Sequence, residues 1–127
     1  MPLLVAGPGI EGGRVSDALV ELDDVNPTLC ELAGLPAQEN IDARSVGPVL
    51  RGETAEHRDC AVSALRNFRC VRTRRHKLIE NYNDITELYD LEADPGELHN
   101  IAAEQRGIAG KLRMQLRARF ADGKWLR

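Results

Sequence analysis

Aromatic side chains are scarce, with one Trp, two Tyr and two Phe making up 4% of 127 residues, so any core must be assembled from Leu, Val, Ile and Ala. Cysteine is nearly as sparse. Cys30, Cys60 and Cys70 contain no C-x-x-C pair, and an odd count closes no complete disulfide framework; they read as small core or half-buried thiols. No apolar run approaches the length that spans a bilayer. The start at Met1-Pro2-Leu3-Leu4-Val5 has neither the basic flank nor the long apolar centre of a secretory signal, so the chain as it stands is expected in the cytoplasm with no membrane partner. A formal charge of -3 gives no reason to expect a nucleic acid or other polyanion. Gly7, Gly9, Gly12 and Gly13 are followed by no Lys-Ser or Lys-Thr, which leaves them a plain turn. Neither Ser16, Ser45 nor Ser63 stands in G-x-S-x-G. No internal repeat or low-complexity segment occurs.

What is present is globular. Hydrophobic residues are 43% and charged ones 29%, which argues against disorder in a chain about one domain long. Pro2 to Ala6 is a continuous apolar run closed by Gly-Pro-Gly, the pattern of a strand buried on both faces of a mostly parallel sheet. Val15 to Leu22 alternates as a second strand. Asp24 then caps a helix with Pro27 in its first turn, Leu29, Leu32 and Ala33 on its inner side, and Gly34 at its end. Val46 to Leu50 reads as a helical turn and Arg51 to Arg58 as a polar connector. The expected division is 1–52 and 53–127.

Past the connector, short strands are expected at Cys60 to Leu65, Phe68 to Thr73, Lys77 to Tyr82 and Glu87 to Leu91. The links between them are short and polar, which favours antiparallel hairpins over crossovers. In Glu87 to Leu91, Leu88 and Asp90 point one way while Tyr89 and Leu91 point the other. Asp94-Pro95-Gly96-Glu97 ends that strand: Pro95 fixes φ, Gly96 tolerates positive φ and Asp94 bonds forward to freed amides. Asn100 is a candidate helix cap. Ile108, Leu112, Leu116 and Phe120 recur at a spacing of four in a helix from Glu104 to Phe120, which should cover one face of the sheet. Trp125 in the tail reads as a docking side chain.

The wording E-L-Y-D-L-x-x-D-P-x-E-x-x-N-x-A between Glu87 and Ala102 resembles the signature near the C-terminal end of sulfatases, the sulfate-ester hydrolases of the alkaline-phosphatase-like superfamily. Two further stretches agree in the same order. Asp24 to Pro36 is similar to the family's D-x-x-P-T-L-x-x-L-A-G-L-P helix, and Val71 to Ile79 to its V-R-T-x-x-x-K-L-I strand pair. The residues carrying the signature are Asp24, Pro27, Thr28, Gly34, Arg44, Ser45, Lys77, Tyr89, Asp90, Asp94, Pro95, Glu97 and Asn100. The resemblance covers nearly the whole chain but only the last part of a sulfatase. It implies an α/β protein, α+β when taken as a fragment. The end of an alkaline-phosphatase-like sheet would be followed by a four-stranded antiparallel sheet packed by a C-terminal helix. Asn40 to Ser45 matches the family's D-G-R-S loop except that Ala43 stands for Gly, a change costing about 1 kcal/mol if that residue takes positive φ.

Sulfatase chemistry, as the resemblance implies it, needs a formylglycine made from Cys or Ser in C/S-x-P-x-R, a calcium ion held by Asp and Asn or Gln, and Lys and His groups on the sulfate. None of the three cysteines is followed by the required Pro and Arg. The family carries its calcium carboxylates near the start of the full enzyme, so Asp23 and Asp24 stand instead where it has a capping Asp. No catalytic residue, metal ligand or cofactor is therefore expected in this chain; calcium and formylglycine are implied for the complete enzyme. Arg66, Arg69, Arg72, Arg74, Arg75 and Lys77 place six cations within twelve residues, but strand alternation divides them between faces. His57 and His76 read as surface residues, and His99 as packing near the sheet without a metal partner at helical spacing. Three functions stay open: the C-terminal portion of a sulfatase, completing the fold and cleft wall of an upstream catalytic half; a non-catalytic interaction module of sulfatase-like fold; and, as the weakest of the three, an anion-binding surface on the Arg-rich hairpins. Partners would be that upstream half, or a second copy joined through the N-terminal strand.

Overall fold

Short polar links turn the second half of the chain back on itself three times. The four runs they join pair antiparallel in sequence order: β1 (Ala61–Leu65), β2 (Phe68–Arg72), β3 (His76–Asn81) and β4 (Glu87–Asp90). These strands belong to the second of two units, Met1–Arg58 and Asp59–Arg127, in a computed structural model that describes residues 3–120. Trp125 lies outside the described residues.

Register decides what each face of the sheet carries. Val62 stands opposite Val71, Val71 opposite Leu78, and Leu78 opposite Leu88, so one apolar row crosses all four strands. The period of two sends Ser63, Cys70, Ile79 and Glu87 to the other face, in a row of their own. Helix α3 (Arg106–Arg119) lies on the apolar row through Ala109, Leu112 and Leu116. Val71, Leu78, Leu88 and Leu116 are completely buried there, each burial being worth about 1.5–3 kcal/mol. Ile108 and Phe120 pack at the margin, so the expected spacing of four does face the core. Tyr89 does not: alternation places Leu88 inward, which sets Tyr89 on the face away from α3.

The N-terminal unit is built differently. A single 3-10 turn (Leu22–Asp24) leads directly into α1 (Val25–Leu32), and a short helix α2 (Gly47–Leu50) follows the intervening loop. Gly34, at φ 69, closes α1 as its amide and that of Leu35 reach back to the Glu31 and Cys30 carbonyls. The expected strands at Leu3 to Ala6 and Val15 to Leu22 are absent, and Leu4 is 92% exposed. A strand buried on both faces needs a ladder on each side, and no described residue supplies one to these segments. The apolar side of α1 also faces outward: Leu29 is 61% and Leu32 42% exposed, and the residue the helix buries is Thr28. Ala43 costs nothing, because positive φ in that loop falls on Asn40, which tolerates it.

Candidate functional site

The signature residues of the N-terminal unit converge on one carboxylate. Asp24 is completely buried, and its side chain caps no part of α1. Instead it closes a capping box on the preceding 3-10 turn, with the Glu21 amide donating to Oδ2 at 2.9 Å. From twenty residues away the Arg44 amide donates to Oδ1 at 2.8 Å. Arg58 completes the set as a fork, Nε to Oδ2 at 2.8 Å and Nη2 to Oδ1 at 2.5 Å, and His57 Nε2 lies 3.1 Å from Oδ2. Burial opposes the charge, but the Arg58 guanidinium, the Arg44 and Glu21 amides and His57 outweigh it and hold the carboxyl well below the usual carboxylate range. Thr28 ties the same knot from the helix, donating to the Asp24 carbonyl at 2.6 Å and accepting from the Val46 amide at 2.9 Å.

These bonds explain the spacing of the signature. Pro27 occupies the third helical position, where its missing amide had no partner to lose. Thr28 stands one turn after Asp24, so its hydroxyl returns to that carbonyl while facing the Arg44-Ser45-Val46 segment. Ser45 Oγ accepts from the Gly47 amide at 3.0 Å, opening α2. Glu31, lowered in pKa by Ser45 and then by Arg51, receives the Arg51 guanidinium at 2.6 Å. His57 and Arg58 were not legible as partners of Asp24. The one available signal is charge: four arginines serve ten carboxylates in residues 1–58, so each guanidinium is drawn to an acid.

Such a carboxylate does no acid–base work and holds no calcium. Five donors occupy its roughly four lone-pair sites, and neighbouring Asp23 is exposed. The pair Asp23 and Asp24 therefore does not fit a cation. Among the described residues no group of three His, Cys, Asp or Glu converges as metal ligands, and no helix is long and apolar enough to cross a membrane.

In the C-terminal unit the second signature is likewise a set of clamps. Asp94 Oδ2 accepts from the amides of Leu98 and His99 at 2.7 and 2.8 Å. Positive φ falls on Glu97 (φ 55) rather than on Gly96, and the Glu97 carboxylate meets Lys77 Nζ at 2.5 Å. Asp90 receives Arg75 at 2.9 Å and caps the following turn through the Glu92 and Ala93 amides. Tyr89 donates to Glu87 at 2.5 Å, a bond that pushes its phenol up to about 12. Asn100 is no cap for α3, which begins six residues later. Its Oδ1 accepts from the Leu88 amide at 3.0 Å and its Nδ2 donates to the Thr86 carbonyl, while the Ile101 amide bonds the Leu88 carbonyl. The outer edge of β4 is thus paired by a loop. Cys30 and Cys60 are half-buried and Cys70 buried, all as free thiols, and burial pushes the Cys70 thiol up.

Comparison with known proteins follows the same lines. The family described as "N-sulphoglucosamine sulphohydrolase, C-terminal" matches residues 1–123. Arylsulfatase K of Bos taurus is 31% identical over 93% of this chain and 25% of its own length. Choline-sulfatase of Rhizobium meliloti is 35% identical over 84% of this chain and 22% of its own. The solved structure of a 2-O GAG sulfatase superposes with a TM-score of 0.75 at 29% identity, over 94% of this chain and 29% of that one. The chain spans about a quarter of the length of the curated relatives it matches.

Proposed function

The chain belongs to the N-sulphoglucosamine sulphohydrolase C-terminal family and is the C-terminal portion of a sulfatase, and on that premise we propose that it completes the fold and walls the substrate cleft of a catalytic portion that carries the chemistry. The observation that carries this reading is the exposed apolar surface of the N-terminal unit. Leu4, Val15, Leu22, Leu29 and Leu35 are each more than half exposed, while Val46 and Val49 are the hydrophobic residues buried there among those described. An unaccompanied domain seldom leaves so much aliphatic surface in water. The helix α1, locked to its loop by Asp24 and Thr28, holds part of that surface in fixed shape. Calcium and formylglycine chemistry belongs, in this reading, to the catalytic portion; no residue described above fits either group.

The test is hydrolysis of a chromogenic aryl sulfate by the purified chain, with calcium present and a formylglycine-generating enzyme coexpressed. The expected rate equals that of heat-denatured protein, because none of the residues described above is placed to favour the transition state over bound ester. Joined to a sulfatase portion bearing C/S-x-P-x-R, the same chain should support turnover. Turnover by the chain alone that survives replacement of Cys30, Cys60 and Cys70 by Ala overturns the proposal.

A further inference from the structure

We propose that the outward face of α3 is a binding surface for a polysulfated polysaccharide. The choice of ligand class rests on the sulfatase reading; the surface itself rests on the helix. Five cations, Arg106, Lys111, Arg113, Arg117 and Arg119, stand in its fourteen residues without a single carboxylate. Arg113 is engaged by Glu80, but no carboxylate pairs with Arg106, Lys111 or Arg117 among the described residues, and all three are exposed. At about 100° per residue Arg106 and Arg117 fall on one rim of the outward face, about 16 Å apart, and Lys111 on the other. Between the rims run Gly107, Gly110 and Met114.

Three local rules are broken here together. Arg106 sits in the first helical turn, where a cation opposes the helix dipole, and that turn holds no acidic residue. Gly107 and Gly110 lie within the helix although each costs about 1 kcal/mol there relative to Ala. Neither is needed for packing, because a Cβ at either position meets nothing within 4 Å. Helix stability explains none of the three. A shallow floor between cationic rims, open to a chain bearing repeated anions, explains all of them.

Net charge conceals this feature. Residues 59–127 carry thirteen Lys and Arg against ten Asp and Glu, whereas residues 1–58 carry four against ten, so the acidic total of -3 averages two opposite halves. Nucleic acid is disfavoured because, among the described residues, no aromatic side chain lies on the outward face to stack a base. An anionic membrane is disfavoured because Met114, 73% exposed, is the single large apolar residue there.

Retention on immobilised heparin and titration with a soluble heparin oligosaccharide test the proposal without any catalytic step, so their outcome is independent of the hydrolysis assay. The triple variant Arg106→Ala, Lys111→Ala, Arg117→Ala should elute at markedly lower salt, with the slope of log K against log salt reduced by about one per cation removed. Gly110→Leu, which keeps every charge and whose Cβ meets nothing within 4 Å in the free protein, should also weaken binding by filling the floor. Circular dichroism should show both variants folded. Equal loss on removing Arg66, Arg72 and Arg74 instead, unchanged binding by Gly110→Leu, undiminished binding of desulfated heparin, or equal affinity for single-stranded DNA overturns the proposal.

Discussion

Replacing Asp24 by Asn removes one charge and reverses the polarity of one oxygen, and the consequences can be worked out bond by bond. If the amide nitrogen takes the Oδ2 position, it faces the Glu21 amide, Arg58 Nε and His57; if it takes Oδ1, it faces the Arg44 amide and Arg58 Nη2. Either way donors oppose a donor. Arg58, with its side chain 7% exposed, also loses the counter-ion closest to it, Glu21 standing farther off at 3.6 Å. Breaking a buried, hydrogen-bonded pair from one side costs about 3–5 kcal/mol. Two buried valines contribute about 3–6 kcal/mol at 1.5–3 each, so the lost carboxylate is comparable to the burial of Val46 and Val49 together. Native-state hydrogen exchange resolves the effect by residue. Protection of the Arg44 and Val46 amides should fall by two orders of magnitude or more in Asp24→Asn, while that of Leu78 and Leu88 stays unchanged. Unchanged exchange at Arg44 and Val46 would refute the reasoning. The pH dependence has a definite sign. The folded carboxyl is held below its unfolded value of about 3.9, so its contribution is fully present above that value and is lost as pH falls further toward the folded value. Acid should therefore approach the Asn phenotype at the Arg44 and Val46 amides progressively as pH falls below about 4.

Leu116→Ala should cost about 2–5 kcal/mol in urea unfolding of the C-terminal unit and Tyr89→Ala distinctly less, since Leu116 packs from α3 into the core while Tyr89 lies on the sheet face away from that helix; equal costs would reject the assigned register. Asn100→Ala strips the Leu88 amide of its acceptor and should cost about 1–3 kcal/mol, read as a lower melting temperature and faster exchange at Leu88. Glu97→Val places a β-branched residue at φ 55 and should destabilise by at least about 1 kcal/mol, whereas Glu97→Gly, which relieves the backbone while losing a half-exposed ion pair, should be near neutral; the reverse order would contradict the backbone assignment. Glu87→Gln should bring the Tyr89 phenol down from about 12 in a spectrophotometric titration, and no change would remove Glu87 as the cause.

The hairpins from Ala61 to Asp90 were legible because their causes are local. Alternation, the short polar links and the Asp94-Pro95 stop each act within a few residues, and so does the spacing of four that turns α3 to the sheet. Family membership was legible too, since it resides in wording rather than in contacts. The roles of the signature residues were not. Asp24 bonds Arg44 and Arg58, twenty and thirty-four positions away, and no periodicity announces a partner at that distance. Asn100 looks like any helix cap until the folded chain lays it against Leu88. Gly96 was the natural choice for positive φ, yet that conformation fell to Glu97, which Lys77 holds from across the turn. Leu3 to Ala6 carries every mark of a buried strand, but a strand is made by hydrogen bonds to another chain segment. Sequence fixes what a residue is able to do with its immediate neighbours; which distant groups complete its bonds is decided only when tertiary structure brings them within about 3 Å.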